Sequence, residues 1–94
     1  MEFEKEIEAY LVKKVKGLGG LCWKFTSPGM AGVPDRIVLI NGICIFVELK
    51  RPDGRVSMIQ KVWHQKLRDL GFRVEVLKSM DEVDTFAMTL WSYL

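Results

Sequence analysis

A chain of 94 residues that is 49% hydrophobic and 28% charged has the composition of one small globular domain spanning residues 1–94, without room for a separate specificity module. These numbers exclude a disordered chain. A bilayer span is excluded because no apolar run approaches about 20 residues, and a zinc site because Cys22 and Cys44 lack any CxxC or Cys/His clustering.

The formal charge of +2 hides an uneven distribution. From Lys13 to Lys78 there are 13 Lys/Arg against 5 Asp/Glu, while the remaining acids gather at the two ends. A central surplus of about +8 suits a polyanionic partner.

The N-terminus, Met1-Glu2-Phe3-Glu4-Lys5-Glu6, is acidic and periodic, unlike a secretion signal, so a cytoplasmic location is expected. Phe3, Ile7, Tyr10, Leu11, Val15 and Leu18 recur at helical spacing and predict an amphipathic helix of about 16 residues, stopped by Gly17, Gly19 and Gly20. On a helical wheel Glu4 falls inside the apolar arc, between the directions of Leu11 and Val15; Glu8 sits on its edge and Glu6 points away. An acid facing inward must be paired, protonated or ligating, whereas an acid fraying at a helix start merely complements the dipole. Lys14 interrupts the same arc, and Glu8 is the alternative to Glu4.

Leu21 to Thr26 reads as a strand, followed by the loop Ser27–Pro34. Arg36 to Ile40 and Ile43 to Leu49 are two further strands, joined by Asn41-Gly42, the strongest short hairpin signal. Cys22 and Cys44 lie in apolar strand segments and are expected to be reduced core thiols. Pro52-Asp53-Gly54 makes a turn, Ser57 caps a helix from Met58 to Leu70, and Gly71 ends it. Phe72 to Leu77 gives a fourth strand, and Ser79 or Asp81 opens a last helix to about Tyr93. The order αβββαβα, with a hairpin and then a β-α-β crossover, predicts a mixed four-stranded sheet flanked by helices.

Within the hairpin, Cys44, Phe46, Glu48 and Lys50 point to one face and the apolar Ile43, Ile45, Val47 and Leu49 to the other. Asp35 enters the partner strand at the end from which Glu48 leaves, so the two carboxylates should lie close together. Carboxylates held together repel unless a proton or a cation intervenes, and Asp and Glu oxygens with several waters suit Mg²⁺. The bland alternative makes Asp35 a turn cap and Glu48–Lys50 an edge-strand charge pair. On the second helix the expected core stripe is Ile59, Val62, Trp63 and Leu67. Gln60 and His64 lie beside it, one turn apart. Gln60 is expected to reach a metal-bound water or phosphate, or else backbone, and His64 to face solvent or nucleic acid.

These residues resemble a known group. Gly32-Val33-Pro34-Asp35-Arg36, Val47-Glu48-Leu49-Lys50 and Ser57-Met58-Ile59-Gln60 are similar to the VRR-NUC domain of the PD-(D/E)XK nuclease superfamily, and Glu4-Lys5-Glu6-Ile7 resembles that superfamily's acidic first-helix motif. The resemblance runs from Glu4 to about Asp84. It implies a restriction-endonuclease-like α/β core and a Mg²⁺- or Mn²⁺-dependent DNA endonuclease. In that reading Asp35, Glu48, the Leu49 carbonyl and Glu4 hold the metal, and Lys50 and Gln60 serve the attacking water. Lys24, Ser27, Arg36, Arg51, Arg55 and Lys61 are expected to grip DNA phosphates. Similarity to stand-alone phage and bacterial members implies a homodimer acting on branched DNA such as four-way junctions, with no membrane partner and no small-molecule cofactor. Trp91 and Tyr93 are candidates for the dimer contact. A non-catalytic DNA-binding or assembly factor on the same fold is the alternative, and nothing in the sequence separates DNA from RNA.

Overall fold

The hairpin organises the sheet. In the computed structural model, which describes residues 2–94, Asn41 and Gly42 take φ of 45° and 79°, the paired left-handed conformations that a two-residue turn between right-twisted strands requires. Met1, which begins the acidic N-terminal stretch, lies outside the described residues.

The chain runs α1 (Glu4–Gly17), β1 (Leu21–Lys24), β2 (Arg36–Ile40), β3 (Ile43–Leu49), α2 (Met58–Asp69), β4 (Arg73–Leu77) and α3 (Met80–Leu90), closing with a 3-10 turn at Trp91–Tyr93. The predicted order is therefore the observed one. The last helix tightens at Trp91 instead of continuing as an α-helix to Tyr93. The sheet is ordered β1-β2-β3-β4, antiparallel from β1 to β3 and parallel between β3 and β4, as a hairpin followed by the α2 crossover dictates. No helix among the described residues is long and apolar enough to cross a membrane.

One face of the sheet carries the core. Ile7, Leu11 and Val15 of α1 and Val83, Phe86 and Leu90 of α3 pack against Val38, Ile40, Ile45, Val47, Leu49 and Leu77. Each such fully buried aliphatic side chain contributes about 1.5–3 kcal/mol relative to exposure. Polar groups fasten the two helices at their rim: the Tyr10 hydroxyl donates to Asp84 Oδ1 at 2.7 Å and Lys14 Nζ lies 3.3 Å from the same oxygen. That is why Lys14 can interrupt the apolar arc without harm.

The second face is only half covered. Facing residues on paired strands share a face, so the register puts Leu21, Leu39 and Cys44 in one row and Trp23, Ile37, Phe46 and Val74 in the next. Packing of α2 on β4 buries Val74, and Phe46 is closed in by Phe25 and Phe72, with ring centroids at 5.7 and 5.5 Å. Over β1 this face is open: Leu21 is 50% and Trp23 57% exposed. The expected core stripe of α2 is corrected here. Ile59 and Val62 are exposed, Trp63 and Leu67 are half-buried, and the buried residue of the helix is His64. Cys22 and Cys44 are free and half-buried rather than fully in the core. Burial pushes the Cys22 thiol up to about 11 and the Cys44 thiol in the same direction, so neither is a nucleophile near neutrality.

Candidate metal centre

Register builds the site. The outermost β2–β3 pair is Arg36 with Val47, and one step further out the pairing brings Asp35 opposite Glu48 on the same face as α2. Three features fix Asp35. Its Oδ2 accepts the Leu49 N–H at 2.8 Å, its carbonyl accepts the Phe25 N–H at 2.8 Å, and Pro34 before it is buried. Gly32 takes φ of 92°, and a Cβ there would meet the Ile59 carbonyl oxygen at 3.0 Å. Only glycine lets this loop lie against the start of α2 with its backbone in the left-handed region.

Glu48 is the anomaly of the chain, a carboxylate 1% exposed at the end of a central strand. Glu4, in the first turn of α1, reaches the same place from another element. Ligand oxygens of Glu4, Asp35 and Glu48 all lie within 4.8 Å of one another. Glu4 itself is exposed rather than turned into the core as the helical wheel implied. Burial pushes the Glu48 carboxyl up to about 8; the adjacent Asp35 adds to the rise and Glu4 does so more weakly, while Lys50 opposes it. Lys50 Nζ stands 3.7 Å from Glu48 Oε2.

This donor set fits a divalent cation. Three converging carboxylates are costly as neighbours in a part-buried site, and hard cations such as Mg²⁺ take oxygen ligands of this kind. A hollow of about 220 Å³ beside them is lined by Glu4, Glu8, Lys24, Phe25, Thr26, Asp35 and Leu49. Leu49, whose carbonyl is expected to ligate, is among the residues lining that hollow.

Helix α2 supplies the other wall. Ser57 Oγ accepts the Gln60 N–H at 3.2 Å, and Gln60 Oε1 accepts the Ser57 N–H at 2.9 Å, a reciprocal capping box. With its oxygen held by the cap, the Gln60 amide is oriented so that Nε2 donates to Glu48 Oε2 at 3.1 Å. Of the two roles weighed for Gln60 in the sequence, the backbone contact is made by its oxygen, while its nitrogen is turned to Glu48. His64, one turn on, is 2% exposed, with Nε2 3.8 Å from Glu48 Oε1. The expectation that it faces solvent is thus overturned. Burial, with the Arg68 charge adding, pushes its imidazole below the ordinary value, so it is neutral near pH 7. The i, i+4 spacing from Gln60 was the signal that both face Glu48.

The expected phosphate-gripping cations are placed unevenly. Lys24 lines the hollow beside Glu4 and Asp35. Arg55 and Lys61 are exposed, and Lys61 lines a hollow shared with His64 and Arg68. Arg51 pairs with Asp53 at 2.7 Å, and Ser27 sits half-buried in the loop with its carbonyl accepting the Met30 N–H. Arg36 differs from its expected role. Its Nε donates to Glu8 Oε2 at 2.8 Å and its Nη1 to the Cys22 carbonyl at 3.1 Å, so the guanidinium pins α1 to the sheet. The same pair occupies Glu8, which leaves Glu4 as the first-helix acid at the cluster.

Known proteins are similar to this chain in sequence and fold. The family model described as the VRR-NUC domain matches residues 20–81, a span that includes Asp35, Glu48, Lys50, Gln60 and His64 but not Glu4. A phage protein, "Putative nuclease p44" of Acyrthosiphon pisum secondary endosymbiont phage 1, is 47% identical over 79 residues, covering 83% of this chain and 85% of that one. A solved structure described as a VRR_NUC domain superposes with a TM-score of 0.83 at 31% identity, over 95% of this chain and 94% of its own.

Proposed function

This chain belongs to the VRR-NUC domain family, a family of nucleases, and we propose that it is a divalent-metal-dependent endonuclease hydrolysing DNA phosphodiesters. The observation that carries the proposal is the meeting of Glu4, Asp35 and Glu48 oxygens within 4.8 Å, beside the Lys50 ammonium. Asp35 and Glu48 would hold Mg²⁺ or Mn²⁺, with the Leu49 carbonyl and Glu4 completing the protein's share. A cation bound there supplies a Lewis acid that acidifies water and offsets charge on the phosphoryl oxygens.

The chain's own groups do the rest. Lys50, within salt-bridge reach of Glu48, is placed to orient the attacking water and to balance negative charge as it develops on the phosphate. Gln60, fixed by its cap, holds Glu48 in position and would support the attacking water or the scissile phosphate. Lys24, Arg51, Arg55, Lys61 and the loop from Ser27 would hold the backbone on either side; such contacts grip phosphate and read little sequence. Arg36 is left out of that group because Glu8 and Cys22 already take it.

The half-covered sheet face supports a homodimer. Leu21, Trp23, Ile37, Leu39 and Cys44 share that face, with Leu21 50% and Trp23 57% exposed, an apolar surface that a second copy would bury. A second copy buried there would set two active sites on one particle, which suits branched DNA such as four-way junctions. Of the C-terminal aromatic residues first considered for that contact, Tyr93 packs against this chain's own core.

Cleavage assays test the function. Purified protein should nick branched DNA with Mg²⁺ or Mn²⁺ and not in EDTA, and Asp35→Ala and Lys50→Ala should each lower the rate by about 10²–10³-fold or more while still binding DNA. Metal-independent binding with no nicking of flap, nicked, linear or four-way substrates would instead make the chain a non-catalytic DNA-binding factor, and cleavage confined to RNA would replace the substrate.

A further inference from the structure

Among the described residues two buried side-chain polar atoms have no hydrogen-bond partner, Glu48 Oε1 and His64 Nε2, and they face each other at 3.8 Å. Two orphans in one place are not chance defects, since nearly all buried polar atoms in folded proteins are paired. The rest of Glu48 is accounted for: Gln60 Nε2 donates to Oε2 at 3.1 Å and Lys50 Nζ lies 3.7 Å from the same oxygen. Oε1 has no hydrogen-bond partner, and an imidazole held between α2 and the sheet at 2% exposure stands 3.8 Å from it. A movement of about 1 Å would bring the pair to the 2.7–2.9 Å of a charge-assisted hydrogen bond.

We propose that His64 is a positioning residue for the cation site: its Nε2–H donates to Glu48 Oε1 and holds that carboxylate in the rotation at which it ligates. The inference rests on the metal reading given above and adds a residue to it. A carboxylate whose second oxygen is fixed from behind loses less freedom on binding an ion and presents a single ligating geometry, which is how groups behind metal ligands raise affinity. Helix α2 then serves as one rigid bracket. Gln60 and His64, one turn apart, take the two oxygens of Glu48 from the same helix, and the Ser57 cap fixes where that helix starts.

The test compares His64→Gln, whose amide nitrogen reaches about as far as Nε2, with His64→Met, equally long but without a donor. Mn²⁺ affinity is read by the paramagnetic resonance signal of the free ion, beside the unmodified protein and Glu48→Ala, with thermal melts of each. The expected result is a dissociation constant raised about 10-fold or more in His64→Met, restored to within about 3-fold in His64→Gln, with the melting points of the two variants alike. Nitrogen-15 spectra of the imidazole in unmodified, Mg²⁺-loaded protein should show the Nε2–H tautomer. Equal Mn²⁺ affinity in His64→Met and the unmodified protein, or an Nδ1–H tautomer, overturns the assignment and leaves the metal site standing. An unmodified protein that takes up Mn²⁺ no better than Glu48→Ala overturns the site and His64's part in it together. Should His64→Met fail to fold, the tautomer decides.

Discussion

At the scale of single residues, Glu48 carries the cost of the proposed site. Without a cation its native carboxyl releases a proton near pH 8, against about 4.5 ordinarily. Between those values unfolding releases a proton, so stability falls as pH rises; below about 4.5 both states are protonated, and above about 8 the penalty is complete. Glu48→Gln keeps the shape and never ionises. In EDTA it should melt roughly 5 °C or more above the unmodified protein at pH 8 and at the same temperature at pH 4, while losing cleavage. An unchanged melting point at pH 8 would show that the buried carboxylate is not strained. The convergence of Asp35 with Glu48 was legible because strand alternation and the Asn41-Gly42 turn fix which side chains meet. Glu4's part was legible less directly: the wheel turned it inward, but the structure has it exposed and reaching the cluster from outside. His64 was misread because the apolar stripe beside it was taken as the buried side of the helix, and its spacing from Gln60 was not weighed against that.

At the scale of elements, α2 repays attention as a positioning device. Its capping box ties Gln60 to Ser57 with the same amide that donates to Glu48. Ser57→Ala should therefore do two things: destabilise the fold by about 0.5–2 kcal/mol, read by urea unfolding, and lower cleavage more than that loss explains, because Gln60 is no longer oriented. A stability change with unaltered turnover of the folded fraction would separate the cap from the site. The strands β2 and β3 were predicted to the residue, since alternation and turn chemistry agree there. The apolar stripe of α2 was assigned to the wrong environment, because periodicity reports that a face is apolar and not what covers it. Here the helix buries His64 against its own sheet and leaves Met58, Ile59 and Val62 exposed.

At the scale of the whole molecule, one sheet face is closed by α1 and α3 and the other half-open over β1 and β2. Sequence could not expose this asymmetry, because Leu21, Trp23, Ile37 and Leu39 read as ordinary strand residues whichever layer lies above them. With a second copy on that face, Trp23→Glu should convert dimers to monomers in sedimentation at micromolar concentration, with the circular dichroism spectrum unchanged. A monomeric unmodified protein, or a variant that still dimerises, would place any contact elsewhere. The basic middle of the chain would act at the same scale, since DNA held through its charge is bound more weakly as salt rises.

Diffraction from crystals grown with Mn²⁺, collected at a wavelength where manganese scatters anomalously, addresses the cation site itself. The account predicts one strong peak among the Glu4, Asp35 and Glu48 carboxylates, with oxygens at about 2.0–2.3 Å, and its disappearance in Glu48→Ala. A peak elsewhere, or three carboxylates without one at saturating Mn²⁺, would contradict it.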